Sequence, residues 1–69
     1  MMKLSARNQI KGQVVEILKG ATTANVRLDI GGGVVITASI TNDAVDDLEL
    51  KVGDVATAVI KASSVIVAK

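Results

Sequence analysis

The chain has 69 residues, so it forms one small domain at most. It contains neither cysteine nor histidine, which excludes disulfides, thiolate or imidazole metal sites and the usual general base of an enzyme. Its formal net charge is +1, from 8 basic and 7 acidic residues, and this balance does not favour nucleic acid or an anionic membrane as a partner.

The first predicted strand covers residues 10–18 and contains a break in its pattern. Apolar and small residues alternate as far as Val14, after which the apolar face continues one position out of phase at Val15 and Ile17. A phase slip of this kind predicts a β-bulge or a sharp bend, and Gly12 would permit the backbone to bend. We therefore expect a bent first strand.

The next two strands are predicted from strict alternation. Lys19 and Gly20 form a candidate turn, and residues 23–30 then place apolar side chains at every second position. The same pattern returns over residues 34–41, after three glycines at 31–33 that predict a hairpin connection. Alternation over both segments predicts a sheet with one buried face.

The last third of the chain predicts a short helix and two further strands. The helix is expected after a cap at Asn42 or Asp43. Its apolar stripe consists of Ala44, Val45 and Leu48. Residues 51–54 predict a turn, and residues 55–60 predict a fourth strand rich in β-branched side chains. After a break, residues 65–68 predict a fifth, short strand.

Three strands, a short helix and two strands match the element order of an OB-type Greek-key barrel. The predicted fold is therefore all-β with one short helix, a five-stranded OB-like barrel in which residues 1–69 form a single domain. The chain is 49% hydrophobic without one Phe, Tyr or Trp, and its mean hydropathy is +0.48. Because a chain this small buries only about 60% of its unfolded surface, we expect other copies to cover much of the aliphatic surface in a homo-oligomer.

Membrane, nucleic-acid and enzymatic functions find no support in the sequence. No apolar run approaches the roughly 20 residues that cross a bilayer, and the N-terminus lacks the apolar core of a signal peptide, so we expect a cytoplasmic protein. OB barrels that bind oligonucleotides stack bases on aromatic side chains, and this chain has none. Serine is present without the histidine that would activate it, so we predict no enzymatic activity.

Two short polar segments carry the chemistry that a binding site needs. They are residues 5–9, with the sequence SARNQ, and residues 61–64, with the sequence KASS. No acidic residue precedes Glu16 or follows Asp54, so both segments offer positive charge, hydroxyls and backbone N–H groups without a carboxylate. Such a donor set suits a small oxyanion and does not suit a metal cation. The alternative is that both segments are solvated chain ends.

The lack of carboxylates also bears on which anion would bind. Hydrogen phosphate keeps a proton near neutral pH and gains from an acceptor, whereas a site made only of donors favours fully deprotonated dianions such as sulfate, molybdate or tungstate. The sequence does not choose among these three, since the choice depends on the size of the cavity.

The opening segment carries a family resemblance. Residues 4–12, with the sequence LSARNQIKG, resemble the S-A-R-N-Q-hydrophobic-x-G opening of the molbindins, the small molybdate- and tungstate-binding proteins known as Mop. Supporting matches are Ile40–Thr41 before the helix, Leu48, Leu50 and Gly53 after it, and residues 59–63 near the end. The resemblance covers nearly all of the chain, and the same domain recurs in molybdate-responsive regulators and in ATPase subunits of molybdate importers.

The resemblance implies an assembly and a set of site residues. Single-domain Mop proteins form homohexamers, built as trimers of dimers, and hold oxyanions at subunit interfaces. On matching positions, the implied oxyanion-binding residues are Ser5, Ala6, Arg7, Thr41, Lys61, Ala62 and Ser63, with Thr41 contributed by a neighbouring subunit. A second class of interface site is implied, for which the candidates are Asn8, Gln9, Ala21 and Thr22.

The implied function is intracellular binding, storage and homeostasis of molybdate or tungstate. The oxyanion would be the ligand, with no organic cofactor and no metal other than the one inside the oxyanion. Two alternatives stay open. One is a module that oligomerises or senses in response to oxyanions without storing them, and the other is a generic OB-fold module that binds an oligonucleotide or a sugar.

Overall fold

The structure is a computed structural model that describes residues 5–69. Its elements, in chain order, are strand β1 (Asn8–Lys19), strand β2 (Thr23–Gly31), strand β3 (Val34–Thr41), helix α1 (Asn42–Asp47), strand β4 (Val55–Ile60) and a single 3-10 turn (Ala62–Ser64). The four strands form one antiparallel sheet in the order β3-β2-β1-β4. The predicted order of elements is therefore confirmed as far as the end of β4.

Strand β1 is the longest strand and contains the irregularity that the sequence indicated. Its first part, as far as Gln13, pairs with β4, and its second part pairs with β2. The register with β2 shifts between Val14 and Glu16, so the predicted bulge is confirmed. Ile17 packs against the core, but Val15 is exposed. The expectation that Val15 lies on the apolar face was wrong, because the extra residue of a bulge falls outside the alternation.

Gly12 marks a point where two strands approach too closely for a side chain. A Cβ atom there would lie 2.9 Å from the Asp29 carbonyl oxygen and 3.0 Å from the Ile30 Cγ2 atom. Gly12 is buried and lies opposite Ala56 of β4, just before the bulge. A residue without a side chain is therefore needed at the point where β1 stops pairing with β4 and starts pairing with β2.

The turn before β4 extends the contact between β4 and β1 up to the bulge. The Val14 N–H donates to the Asp54 carbonyl at 2.8 Å, and the Val14 carbonyl accepts from the Gly53 N–H at 2.8 Å. The predicted turn is confirmed by the Asp54 N–H, which donates to the Lys51 carbonyl at 3.0 Å. Both backbone groups of the buried Val14 are thus paired, as burial requires.

Strands β2 and β3 follow the predicted alternation around a small aliphatic core. The glycines at 31–33 all have positive φ and connect the two strands as the predicted hairpin. The buried residues of the core are Val14, Ala24, Val26, Leu28 and Val45. Partly buried around them are Ile17, Ile30, Ile40, Leu50, Ala56 and Ala58. Leu48, which was predicted for the apolar stripe of α1, is exposed, so the core leaves aliphatic surface uncovered.

Helix α1 is capped one residue earlier than the sequence indicated. Its N-terminal cap is Thr41, whose Oγ1 accepts a hydrogen bond from the Ala44 N–H at 3.0 Å. The predicted cap at Asn42 or Asp43 was wrong. The Asn42 side chain turns instead toward the connection between β1 and β2, where its amide donates to the Gly20 carbonyl at 2.9 Å.

The predicted fifth strand is not formed in the part of the chain that the structure describes. Residues 65–69 follow the 3-10 turn, pair with no strand there and are exposed, so the sheet has four strands rather than five. A β-branched segment becomes a strand only against a partner edge, which local composition does not reveal. The mostly-β fold with one short helix is confirmed, whereas closure of a five-stranded barrel is not.

Candidate functional site

The antiparallel pairing of β1 and β4 brings the two donor-rich segments together. Asn8 lies opposite Ile60 at the end of this pairing, and the Asn8 side-chain amide donates to the Ile60 carbonyl at 3.2 Å. Residues 5–7 precede one strand and residues 61–63 follow the other, so both segments leave the sheet at the same corner. We call Ser5, Ala6, Arg7, Lys61, Ala62 and Ser63 the terminal cluster.

The terminal cluster is exposed and carries two positive charges. Ala6 is half-buried and the other five residues are exposed. The ion pairs found among residues 5–69 are Lys19 with Asp46 and Arg27 with Glu16. Within that stretch, Arg7 and Lys61 are therefore not paired with a carboxylate, and their charges remain for a ligand.

The 3-10 turn shapes the second half of the terminal cluster. Lys61 precedes the turn in an extended conformation, with φ −63° and ψ 137°, and its carbonyl accepts from the Ser64 N–H at 2.9 Å. The N–H groups of Ala62 and Ser63 begin the turn, and such first N–H groups have no partner inside it. The small side chain of Ala62 leaves this backbone accessible, as expected for a site that uses backbone donors.

A second polar cluster lies at the other end of β1. Thr41 ends β3 opposite Thr23, next to the turn between β1 and β2. The Asn42 N–H donates to the Thr22 carbonyl at 2.9 Å and thereby fastens this turn to the start of α1. We call Ala21, Thr22 and Thr41 the turn cluster.

The hydroxyl of Thr41 takes part in one hydrogen bond and is free to form another. Its oxygen accepts from the Ala44 N–H and caps α1. A hydroxyl that accepts in this way still has its own O–H to donate. Because Thr41 is exposed, that proton can reach a ligand or another copy of the chain.

One copy of the chain does not bring the two clusters together. Strand β1 has 12 residues, and at about 3.3 Å per residue the path from Asn8 to Lys19 is roughly 36 Å long. The bend shortens the direct distance, but the clusters stay at opposite ends of the strand. Thr41 is therefore separated from Arg7 and Lys61 within one copy.

The candidates for a second anion site are divided in the same way. Asn8 and Gln9 begin β1, whereas Ala21 and Thr22 belong to the turn that follows its other end. The Asn8 amide already donates to the Ile60 carbonyl. A site made from all four residues would need two copies of the chain.

Asn42 is a residue of this region whose position the sequence patterns did not predict. Its amide holds the β1–β2 turn at Gly20, and its Oδ1 atom is buried without a hydrogen-bond partner among the described residues. Buried polar atoms of this kind are uncommon. The signal in the sequence was a run of three residues that favour caps, Thr41, Asn42 and Asp43, of which only one can cap the helix.

The described residues offer neither a metal site nor a membrane span. Within residues 5–69, no three His, Cys, Asp or Glu side chains are grouped so as to hold a metal ion. No helix of that same stretch is long and apolar enough to cross a membrane. What the two clusters do offer is positive charge and N–H donation at one end of β1 and hydroxyl donation at the other.

The whole chain matches one family of known proteins. A family model described as the TOBE domain matches residues 4–67. A protein of Haemophilus influenzae named "Probable molybdenum-pterin-binding protein" is 53% identical over 66 residues, which are 96% of this chain and 96% of that protein. This chain belongs to the Mop family of TOBE-domain proteins. The family resemblance seen in the opening segment is thereby confirmed.

Solved structures agree with the membership in the Mop family. A molybdate-binding protein from Sporomusa ovata has a TM-score of 0.93 and 43% identity, covering 99% of this chain and 100% of that one. The cytoplasmic molybdate-binding protein ModG, in a form with molybdate bound, has a TM-score of 0.90 and 51% identity. The match covers 94% of this chain and 46% of ModG, so this chain spans about half of that protein.

Proposed function

We propose that this Mop-family protein binds molybdate, and the related dianion tungstate, between copies of the chain, with residues 1–69 acting as a single domain. The observation that carries the proposal is the terminal cluster. There Arg7 and Lys61 lie at one corner of the sheet, and neither is paired with a carboxylate among residues 5–69. The names of the relatives support molybdate as the ligand.

Binding between copies is supported by the separation of the two clusters. The terminal cluster of one copy supplies charge and N–H donors, and the Thr41 hydroxyl of another copy supplies a further donor. We propose a homohexamer, built as a trimer of dimers, because such interfaces would also cover the aliphatic surface that the small core leaves exposed. The residues for a second anion site between copies are Asn8, Gln9, Ala21 and Thr22.

The donors are sufficient in number for micromolar binding. Each hydrogen bond to a charged group contributes about 1.5–3 kcal/mol net. The two cations, the two N–H groups that begin the 3-10 turn and the three hydroxyls of Ser5, Thr41 and Ser63 are seven donors, and about four to six bonds from them are enough. A dissociation constant of about 1 μM corresponds to about −8 kcal/mol, which this sum reaches after the cost of immobilising the anion.

Selectivity against phosphate follows from the kind of groups present. Hydrogen phosphate carries a proton, and a polar group enclosed without its partner costs about 1–3 kcal/mol. The terminal cluster contains no carboxylate that could accept this proton. Molybdate and tungstate carry no proton at neutral pH and accept from every donor around them, so they suit the site better.

The proposed role in the cell is storage and homeostasis of the oxyanion. The anion would be released chemically unchanged, so the function requires neither an organic cofactor nor catalysis. We place the protein in the cytoplasm, which is supported by the description of the relative ModG as cytoplasmic.

Calorimetric titration with molybdate, tungstate, sulfate and phosphate in parallel tests the proposed function. We expect saturable binding of molybdate and tungstate and much weaker binding of phosphate. Equal affinity for phosphate would contradict a site made only of donors, and binding of none of the four anions would overturn the proposed function. Capture of a partner protein only in the presence of molybdate would support the sensing alternative instead.

A further inference from the structure

A polar side chain lies on the inner face of β1, at the end of its pairing with β4. Because side chains alternate along a strand, Asn8 shares this face with Ile10 and the buried Val14. Asn8 is half-buried, and its side-chain amide donates to the Ile60 carbonyl at 3.2 Å, across a separation of 52 residues along the chain. Between Asn8 and the bulge this face carries no other polar side chain, so the amide there calls for an explanation other than packing.

The hydrogen bond of Asn8 lies between the two halves of the terminal cluster. Asn8 directly follows Arg7, and Ile60 directly precedes Lys61. The Ile60 carbonyl and the Lys61 N–H belong to one planar peptide group, so a donor that holds this carbonyl also fixes the direction in which the chain continues into Lys61. One side chain therefore links the backbone that carries the first cation to the backbone that carries the second.

Within residues 5–69, few other bonds hold the terminal cluster in place. Asn8 and Ile60 are the last residue pair of the ladder between β1 and β4. Beyond this pair, residues 5–7 and residues 61–63 form no hydrogen bond with one another in the described chain. Ends of strands that lack such links open at little cost in free energy. The Asn8 amide is thus the last link before the chain leaves the sheet on both sides.

We propose that Asn8 is a positioning residue of the anion site, whose amide holds Arg7 and Lys61 at the spacing at which both reach one oxyanion. This inference rests on the proposed function and adds to it a residue that does not touch the anion. Asn8 acts through the backbone of its neighbours. It also stays a candidate for the second anion site, because an amide carries two N–H groups and only one is needed for the Ile60 carbonyl.

Positioning matters at this site because its donors lie outside the sheet. Donors that are already in place bind a ligand without the entropic cost of ordering them, and this preorganisation raises the affinity. The cost of ordering the backbone of a single residue corresponds to a factor of about ten in affinity. Loss of the Asn8 amide should therefore weaken molybdate binding about tenfold, although every donor to the anion in the terminal cluster is retained.

The variant Asn8→Leu tests this role by calorimetric titration with molybdate. Leucine branches at the same carbon as asparagine but cannot donate a hydrogen bond. The matched control is Gln13→Met, because the Gln13 amide also joins β1 to the β4 side, donating to the Gly53 carbonyl at 3.4 Å, at the far end of the same strand pairing. We expect about tenfold weaker binding in Asn8→Leu and unchanged affinity in Gln13→Met. An equal loss in both variants would contradict a specific role of Asn8.

Backbone amide relaxation, measured by NMR without anion, separates positioning from general stability. In the wild type we expect order parameters of about 0.85 at Lys61 and Ala62, and in Asn8→Leu we expect these to fall toward about 0.6. The order parameters of the core residues Val14 and Leu28 should not change. Saturating molybdate should restore the order of Lys61 and Ala62 in the variant. Unchanged order parameters at these two residues, or a fall that extends equally to the core, would refute the positioning role.

The possible outcomes keep this inference apart from the proposed function. A wild type that binds none of the four oxyanions would overturn the proposed function, whereas equal molybdate affinity in the wild type and in Asn8→Leu would overturn only the inference. If Asn8→Leu bound fewer anions with unchanged affinity, Asn8 would be a ligand of the second site, and the positioning role would be wrong. If leucine prevents folding, Asn8→Ala is used in both measurements with the same expected results.

Discussion

Removal of both cations of the terminal cluster is the most direct perturbation of the proposed anion site. In Arg7→Ala with Lys61→Ala, the backbone N–H groups and the hydroxyls are retained. Both side chains are exposed, and neither forms an ion pair within residues 5–69, so the substitutions remove no salt bridge seen in the folded chain. Weaker binding would then report on the anion site rather than on folding.

The loss of affinity can be estimated from the groups removed. Each cation contributes a charge-assisted hydrogen bond of about 1.5–3 kcal/mol, so the pair contributes about 3–6 kcal/mol before screening. Because both side chains are exposed in a single copy, water and salt reduce this contribution to the binding free energy. We therefore expect the double variant to lose about 3 kcal/mol of binding free energy. At about 1.4 kcal/mol for each factor of ten, the affinity for molybdate should fall about 100-fold.

Isothermal titration calorimetry measures this loss directly. The matched control is Lys11→Ala with Lys51→Ala, which removes the same charge from two exposed positions outside the terminal cluster. At the same ionic strength, the control should bind molybdate within a few-fold of the wild type. If the double variant bound as tightly as the wild type, or the control lost as much affinity, the assignment of binding to Arg7 and Lys61 would be refuted.

Three smaller changes test other parts of the structure. Thr41→Val should lower the free energy of unfolding by about 1 kcal/mol through the lost cap and should also weaken molybdate binding. The control Thr41→Ser should preserve both. If calorimetry showed unchanged molybdate affinity in the valine variant, Thr41 would not belong to the anion site. Gly12→Ala should cost about 1–3 kcal/mol in denaturant unfolding, because its Cβ would lie 2.9 Å from the Asp29 carbonyl oxygen, and a neutral result would contradict the close approach. Molybdate at about 100 times its dissociation constant should stabilise the assembled state by about 2.7 kcal/mol and raise its melting temperature, so an unchanged melting curve at such concentrations would count against binding.

The strands that the sequence predicted correctly are those whose pattern reflects a buried face. Residues 34–41, which were predicted from alternation, and residues 55–60, which were predicted from their β-branched side chains, match β3 and β4 to the residue. The bulge in β1 was equally visible, because one inserted residue shifts the phase of everything after it. The exposure of Val15 could not be predicted, because the type of a side chain does not show which residue of a bulge is the extra one.

The elements that the sequence predicted wrongly depend on contacts distant along the chain. Asn42 is a good helix cap by residue type, but its side-chain amide donates to the Gly20 carbonyl of the preceding turn. Thr41 caps the helix instead. Residues 65–68 have the composition of a strand, but residues 5–69 of one copy provide no edge with which they pair. Local pattern indicates what a segment can form, and tertiary pairing decides whether it does.

The candidate site was predictable in one half and not in the other. Segments that flank β1 and β4 meet because these strands pair in antiparallel register, with Asn8 opposite Ile60. No spacing in the sequence relates Thr41 to Arg7, since the two residues belong to opposite ends of β1. Only the family resemblance placed both residues in one binding site, with Thr41 contributed by a neighbouring subunit.

The division between the two clusters has an electrostatic consequence for assembly. An interface that gathers Arg7 and Lys61 from several copies would bring like charges together and disfavour association. The turn cluster opposite them contributes neutral hydroxyls, so it cannot offset that repulsion by itself. At the proposed site, a dianion placed among the cations would offset this repulsion and would bind only the assembled state. Molybdate would then be the counter-charge of the interface, and we expect binding and assembly to be linked by mass action.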